Sequence, residues 1–131
     1  MAALHAAAFV SERAWAAQEF ENLLAQPGVA VAHAPHGFAL WRAVAGEAEL
    51  LTIAVDPAHQ GQGIGARLMH DWMEAAGVVA QDAFLEVAAD NTAACALYAA
   101  FGFETVGRRT GYYLRPTTRT DALLMRATLR P

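Results

Sequence analysis

The chain has 131 residues, 56% of them hydrophobic, and a formal net charge of −4. It is long enough to bury a core of its own and too apolar to be a disordered segment. A chain of this length favours one domain, spanning residues 1–131. All 9 cationic residues are arginines and they form no basic run, which argues against nucleic acid as the main partner.

The sequence also limits the expected location of the protein. No apolar stretch reaches the roughly 18 residues of a membrane span, and no basic segment with a following apolar core opens the chain. Cys95 is the single cysteine, which excludes an intrachain disulfide. We therefore expect a soluble cytoplasmic protein that does not bind membranes and exists as a monomer or weak dimer.

The first half of the chain predicts two helices and then three strands. The helices cover 2–9 and 11–25, with Ser11 as the N-cap of the second. Short turns separate predicted strands at 28–34, 38–43 and 47–55, which is typical of an antiparallel meander. The nearly continuous apolar run over 50–55 predicts a strand that is buried on both faces.

Helices and strands alternate in the second half. A helix is predicted over 63–76, because Ile64, Leu68, Trp72 and Ala75 fall on one helical face. The remaining predictions are a strand at 83–88, a helix at 93–101 and strands at 103–114 and 122–129. This order of elements predicts a mixed α/β layer fold.

A glycine-rich loop precedes the helix at 63–76, with the sequence Gln60-Gly61-Gln62-Gly63-Ile64-Gly65-Ala66. Glycines permit positive φ and close approach of a ligand to the backbone, and a helix N-terminus attracts anions such as a pyrophosphate. The loop lacks the Gly-Lys-Ser/Thr of a Walker motif. It fits the dinucleotide fingerprint only in part, because Asp56 to Gln60 separate it from the preceding strand. A glycine turn that merely starts a helix is the alternative.

Two sequence blocks resemble the GNAT acetyltransferases. The first is Val55-Asp56-Pro57 with the glycine loop, similar to motif A of the family; the second is Leu85-Glu86-Val87, Asn91, Ala96-Leu97-Tyr98 and Phe101-Gly102-Phe103, similar to motif B. The tail, with Arg108-Arg109, Tyr112-Tyr113 and Pro116-Thr117-Thr118, is most similar to the RimI-like branch of ribosomal-protein-alanine N-acetyltransferases. The resemblance implies an α+β GNAT fold: a twisted, mixed and mostly antiparallel sheet with helices on both faces.

The chain departs from the family pattern in three places. The first strand of the fold has no counterpart, which would leave the strand at 28–34 at the sheet edge. Phe9-Val10-Ser11 stands where this branch has Pro-Trp-Ser, and one extra residue lies between Arg109 and Tyr112. These differences concern the acceptor side of the site.

The resemblance implies acetyl-CoA as co-substrate and no metal. It places the pantetheine arm in a gap beside the strand that precedes the glycine loop. The implied coenzyme-binding residues are Ile53, Ala54, Val55, Gln60, Gly61, Gln62, Gly63, Ile64, Gly65, Ala66 and Asn91. The alternative for Asn91 is a plain helix cap, and for the nearby His59 a solvated loop histidine rather than a phosphate contact.

Two residues are implied as catalytic. Tyr98 is the candidate general acid, because a phenol of pKa about 10 can protonate a departing thiolate whose thiol has a pKa near 8.5. Its alternative is ordinary aromatic packing. Glu86 is the candidate general base, and its alternative is a strand glutamate paired with Arg108 or Arg109. Tyr112 and Tyr113 either line the acceptor groove or belong to the core.

The implied reaction is direct acetyl transfer to an amine in a ternary complex, with the N-terminal alanine of a protein, possibly ribosomal, as the expected acceptor. An α-amine has a pKa near 8 against about 10.4 for lysine, so more of it is neutral at physiological pH. A small-molecule amine and a non-catalytic acyl-CoA sensor remain alternatives, as does a dinucleotide-binding domain.

Overall fold

The computed structural model describes residues 17–129, apart from the side chain of Phe20. Its helices and strands are α1 (Ala17–Leu24), β1 (Val29–Ala34), β2 (Gly37–Val44), β3 (Glu47–Val55), α2 (Ile64–Ala76), β4 (Asp82–Ala88), α3 (Thr92–Ala100), β5 (Glu104–Leu114) and β6 (Arg119–Thr128). A 3-10 turn, Pro57–His59, follows β3. The predicted order of elements is confirmed, while the predicted helix at 2–9 and the start of the next, at 11–16, lie outside the described residues. No helix within 17–129 is both long and apolar enough to cross a bilayer.

The six strands form one sheet in the order β1-β2-β3-β4-β6-β5. The predicted meander of β1, β2 and β3 is confirmed, and β3 and β4 form the parallel pair. β6 pairs antiparallel with both β4 and β5. Among the described residues no strand pairs with the outer edge of β1, which is therefore an edge strand as expected. The mixed, mostly antiparallel sheet is confirmed.

Apolar side chains pack on both faces of the sheet. On one face Leu68, Met69 and Trp72 of α2 are fully buried against strand residues that include Leu85 and Val87. On the other face Phe38, Leu40 and Ala54 form a smaller cluster with Leu23 of α1. The predicted inner face of α2 is confirmed except for Ala75, which is exposed. Besides Leu68 and Trp72, the helix buries Met69 and Ala76, each one residue after a predicted position.

A β-bulge in β3 sets which side chains face each side near its end. Leu40 pairs with Thr52 and Trp41 pairs with Leu50, so Leu51 is an extra residue. The bulge shifts the alternation of side chains, and Ile53 joins Leu50 in packing against the α2 side. The expected burial on both faces over 50–55 is confirmed in part: Leu50 and Ala54 are buried in the clusters of opposite faces, while Leu51, Ile53 and Val55 stay partly exposed.

Candidate functional site

Strands β3 and β4 separate after a short paired segment. They pair only between Glu47–Glu49 and Asp82–Phe84. Beyond that point β3 remains paired with β2 as far as Val55, and β4 remains paired with β6 as far as Ala88. The two strands therefore diverge and leave a wedge-shaped gap with main-chain groups along its sides. The gap expected from the resemblance is confirmed.

A groove of about 580 Å³ lies at the open end of this gap. It brings together these predicted coenzyme or catalytic residues: Ile53, Ala54, Val55, Gln60, Gly61, Gly63, Ile64, Gly65, Asn91 and Tyr98. Gln62, Ala66 and Glu86 are not among its lining residues. The groove also contains residues outside the predicted set: His59, Asp90, Ala93, Ala94, Leu97 and Arg115.

The glycine loop has the backbone that an anion site requires. Gly61 and Gly63 have φ of 80° and 79°, in the left-handed region that favours glycine. Gly63 is the N-cap of α2 and makes no side-chain cap, so the first N–H groups of the helix are left for a ligand or water. The side-chain amide of Gln60 donates to the Val55 carbonyl over 3.3 Å, which ties the loop to the end of β3. The helix dipole adds to the attraction for an anion.

Glycine also serves packing between the helices at the groove. A Cβ on Gly65 would lie 3.2 Å from Cδ2 of Leu97, which is tighter than most side-chain contacts. The third glycine of the motif therefore lets α2 approach α3. The glycines thus have two roles, of which the sequence predicted only the one toward a ligand.

The start of α3 forms the opposite wall of the groove. Asn91 caps this helix, because its Oδ1 accepts a hydrogen bond from the Ala94 N–H over 3.2 Å. The helix cap is therefore confirmed, and it is compatible with a ligand contact because the NH₂ group of Asn91 remains for one. Arg115 donates from Nε and Nη2 to the two oxygens of Asp90, over 2.8 and 2.7 Å. This bidentate pair lowers the pKa of Asp90 and holds the β5–β6 turn against the groove.

Tyr98 lies at the inner end of the groove. Its side chain is 7% exposed and packs edge-to-face on Phe103, with ring centroids 6.2 Å apart. Burial, with a smaller effect of Cys95, raises the pKa of the hydroxyl well above its ordinary value of 10. The hydroxyl is therefore neutral at physiological pH and can both donate and accept a hydrogen bond. Tyr98 therefore both packs against an aromatic neighbour and lines the groove.

Glu86 faces a different cavity. Alternation along β4 puts Ala83, Leu85 and Val87 in the cluster with α2, so Glu86 projects from the other face of the sheet. There it borders a cavity of about 890 Å³, lined by Gln26, Pro27, Arg42, Val44, Glu47, Ala48, Glu49, Phe84, Leu85, Glu86, Val106, Arg109, Leu124 and Met125. Among the described residues, none lines both the Glu86 cavity and the groove that contains Tyr98.

Two side chains from β5 hold the Glu86 carboxylate. The Tyr113 hydroxyl donates to Oε1 over 3.2 Å, and Nε of Arg109 lies 3.8 Å from Oε2. The arginine alternative for Glu86 is thus confirmed for Arg109 and wrong for Arg108, whose Nη1 donates instead to Asp121 over 2.6 Å. Neither Tyr113 nor Tyr112 belongs to the hydrophobic clusters, so the core interpretation of these tyrosines is wrong.

The extra residue between Arg109 and Tyr112 lies in an irregular part of β5. Pairing with β6 is interrupted between Arg109 and Tyr113, and Gly111 there has φ of 61°. The Gly111 N–H donates to Oδ1 of Asp121 over 2.8 Å, and this bond and Arg108 lower the pKa of the Asp121 carboxyl. Asp121 therefore fixes the bulge that places Tyr113 beside Glu86.

Known proteins with similar sequences and structures include acetyltransferases. The sequence profile of the Acetyltransferase (GNAT) family matches residues 6–103. The N-alpha-acetyltransferase RimI of Mycobacterium tuberculosis is 40% identical over 136 residues, covering 95% of this chain and 82% of that protein. The ribosomal protein bS18-alanine N-acetyltransferase of Escherichia coli K12 is 43% identical over 91 residues, covering 67% of this chain and 60% of that protein.

The crystal structure of the ribosomal-protein-S18-alanine N-acetyltransferase from Escherichia coli superposes with a TM-score of 0.88 and 28% identity, over 99% of this chain and 86% of that one. A Mycobacterium leprae protein is 49% identical over 80 residues, and the chain spans only 21% of its length. The chain belongs to the GNAT acetyltransferase family.

The role of Asp121 generates a pH prediction. Because its folded-state pKa is lowered, Asp121 contributes stability above its unfolded pKa of about 3.8, and this is lost as pH falls through the folded value. We expect Asp121→Asn to be less stable than wild type at neutral pH, with the two curves converging between about pH 5 and pH 2. Urea unfolding across this pH range measures the free energy of unfolding of each variant. Asp71→Asn, on the surface of α2, is the control. A constant difference between Asp121→Asn and wild type at every pH would contradict the prediction.

Proposed function

We propose that this protein transfers the acetyl group of acetyl-CoA to the N-terminal alanine α-amine of a ribosomal protein. The observation that carries the proposal is the divergence of β3 and β4 beside a groove that contains the glycine loop and Tyr98, with Glu86 on the other face of β4. The relatives named above support the acceptor, since one of them is named as a bS18-alanine N-acetyltransferase.

In this proposal the groove binds the coenzyme. Its pyrophosphate lies on the loop Gln60 to Gly65 and the first turn of α2, where Gln62 and Ala66 contribute backbone. The pantetheine arm lies in the gap beside Ile53–Val55, as an additional strand, and the NH₂ group of Asn91 contacts it. A chain with net charge −4 has no broad positive field, so backbone amides must hold the phosphates locally.

The proposed reaction is a direct transfer. The acceptor enters from the Glu86 cavity, and its amine nitrogen attacks the thioester carbonyl carbon. Glu86 takes the proton from that nitrogen, directly or through a water, while the Val55 amide stabilises the carbonyl oxyanion. The C–S bond breaks, and the Tyr98 hydroxyl gives its proton to the departing thiolate. Tyr113 and Arg109 are positioning residues that orient the Glu86 carboxylate toward the gap.

The acceptor is tested by following free thiol during reaction with acetyl-CoA and a short peptide that begins with alanine. We expect release with this peptide and none with a copy whose N-terminus is blocked and which carries an added lysine. Release with neither peptide, while acetyl-CoA still raises the melting temperature, would overturn the proposed acceptor and favour a small amine or a sensor. Equal release with both peptides would overturn the α-amine specificity.

Substitution of Tyr98 separates an enzyme from a sensor. Tyr98→Phe keeps the ring that packs on Phe103 and removes the proton donor, so we expect kcat to fall by about a hundredfold or more. Affinity for acetyl-CoA, measured by calorimetry, should stay within about twofold, since the hydroxyl acts in the transition state. The control is Tyr112→Phe on the half-exposed ring, which should keep both values. Unchanged kcat in Tyr98→Phe would contradict the proposed role of Tyr98 as general acid.

A further inference from the structure

Three potential metal ligands meet beside the glycine loop, on segments that are far apart in the sequence. His36 lies in the β1–β2 turn, Asp56 follows β3, and His59 ends the 3-10 turn. The Asp56 N–H donates to the His36 carbonyl over 2.8 Å, which fixes the turn to the end of β3. One ligand atom from each side chain lies within 4.8 Å of the other two. The sequence predicted no metal, because the spacing of these residues matches no ligand motif.

One ring nitrogen of this cluster is buried without a hydrogen-bond partner in the described part of the chain. Nδ1 of His59 is buried and has no hydrogen-bond partner among the described residues. Oδ2 of Asp56, at 3.9 Å, is beyond hydrogen-bonding distance from it. The His36 and His59 rings stack with centroids 3.5 Å apart, and His36 has φ of 65°, which is uncommon for a residue other than glycine. A buried polar atom without a protein partner calls for a water molecule, an ion or another ligand.

We propose that His36, Asp56 and His59 bind Zn²⁺ or a similar late first-row divalent ion. Two imidazole nitrogens and one carboxylate oxygen are the donors that such ions select, whereas Mg²⁺ and Ca²⁺ take oxygen ligands. Oδ1 of Asp56 accepts from the Ala58 N–H over 3.0 Å, so Oδ2 is the oxygen that faces the histidines. A water molecule would complete the tetrahedral coordination of a metal held by these three ligands.

Binding requires a small local rearrangement. Zinc bonds of about 2.0–2.2 Å place tetrahedral ligand atoms roughly 3.4 Å apart, so each separation shortens by at most about 1.4 Å and the stacked rings turn toward a common point. His36 can make this movement because it lies on an exposed turn. Since His59 also lines the coenzyme groove, the metal would fix the segment from which the glycine loop begins.

The test is calorimetric titration of the metal-free full chain with ZnCl₂, followed by the visible spectrum of the Co²⁺ complex. We expect one equivalent to bind, with a tetrahedral Co²⁺ spectrum, and His36→Asn and His59→Gln each to weaken binding about tenfold or more. Asparagine is chosen at position 36 because it tolerates positive φ. The control is His70→Asn, which removes an exposed histidine that lies 3.3 Å from Asp71 and 3.4 Å from Glu74, and it should bind as wild type does.

Asp56→Asn keeps the oxygen that accepts from the Ala58 N–H and removes the carboxylate charge. This variant therefore tests the metal site if either histidine variant fails to fold. It should also weaken Zn²⁺ binding about tenfold or more. The site would be overturned if the wild-type protein bound Zn²⁺ no more tightly than the folded variants do. It would also be overturned if only His70→Asn lost Zn²⁺ binding.

Discussion

The separation of β3 from β4 is the constraint on which the rest of this site depends. Within a sheet every main-chain N–H and C=O facing a neighbouring strand needs a partner. Pairing of these two strands ends after Glu49 and Phe84, yet both continue for several residues. The bulge at Leu51 coincides with this point and turns Ile53 toward the α2 side. A ligand that presents amides and carbonyls of its own would complete the interrupted sheet.

The same separation explains why two candidate catalytic groups have such different surroundings. Tyr98 comes from the helical side, where burial raises the pKa of its hydroxyl. Glu86 comes from the other face, where Tyr113 and Arg109 hold its carboxylate beside an open cavity. A hydroxyl on one face of the sheet and a carboxylate on the other suit the proposed reaction, in which one partner arrives from each face. The irregular part of β5 completes this arrangement by carrying both residues that contact Glu86.

Features with a local cause could be predicted from the sequence. The glycine loop, the Asn91 cap and the order of elements follow from turn and cap chemistry within a few residues. The predicted burial of Ala75 is wrong. The spacing of Ile64, Leu68 and Trp72 does not continue to the end of α2, where Ala76 is buried instead.

Long-range contacts could not be predicted in this way. The Arg115–Asp90 pair joins positions 25 apart, and the choice of Arg109 over Arg108 for Glu86 depends on the side of β5 each one faces. The meeting of His36 with His59 depends on the β1–β2 turn folding back to the end of β3. In each case the decisive information is the register of the sheet, which a single sequence does not encode locally.

The most direct test of the central claim is amide hydrogen exchange with and without saturating acetyl-CoA. The account predicts slower exchange in the segment Leu51 to Val55 and in the glycine loop, because the coenzyme completes the gap. Gly63→Ala should lose this protection while Gly46→Ala keeps it, since both glycines have positive φ and open space at Cβ but only Gly63 lines the groove. Unchanged exchange along β3 in the saturated wild-type protein would contradict the account.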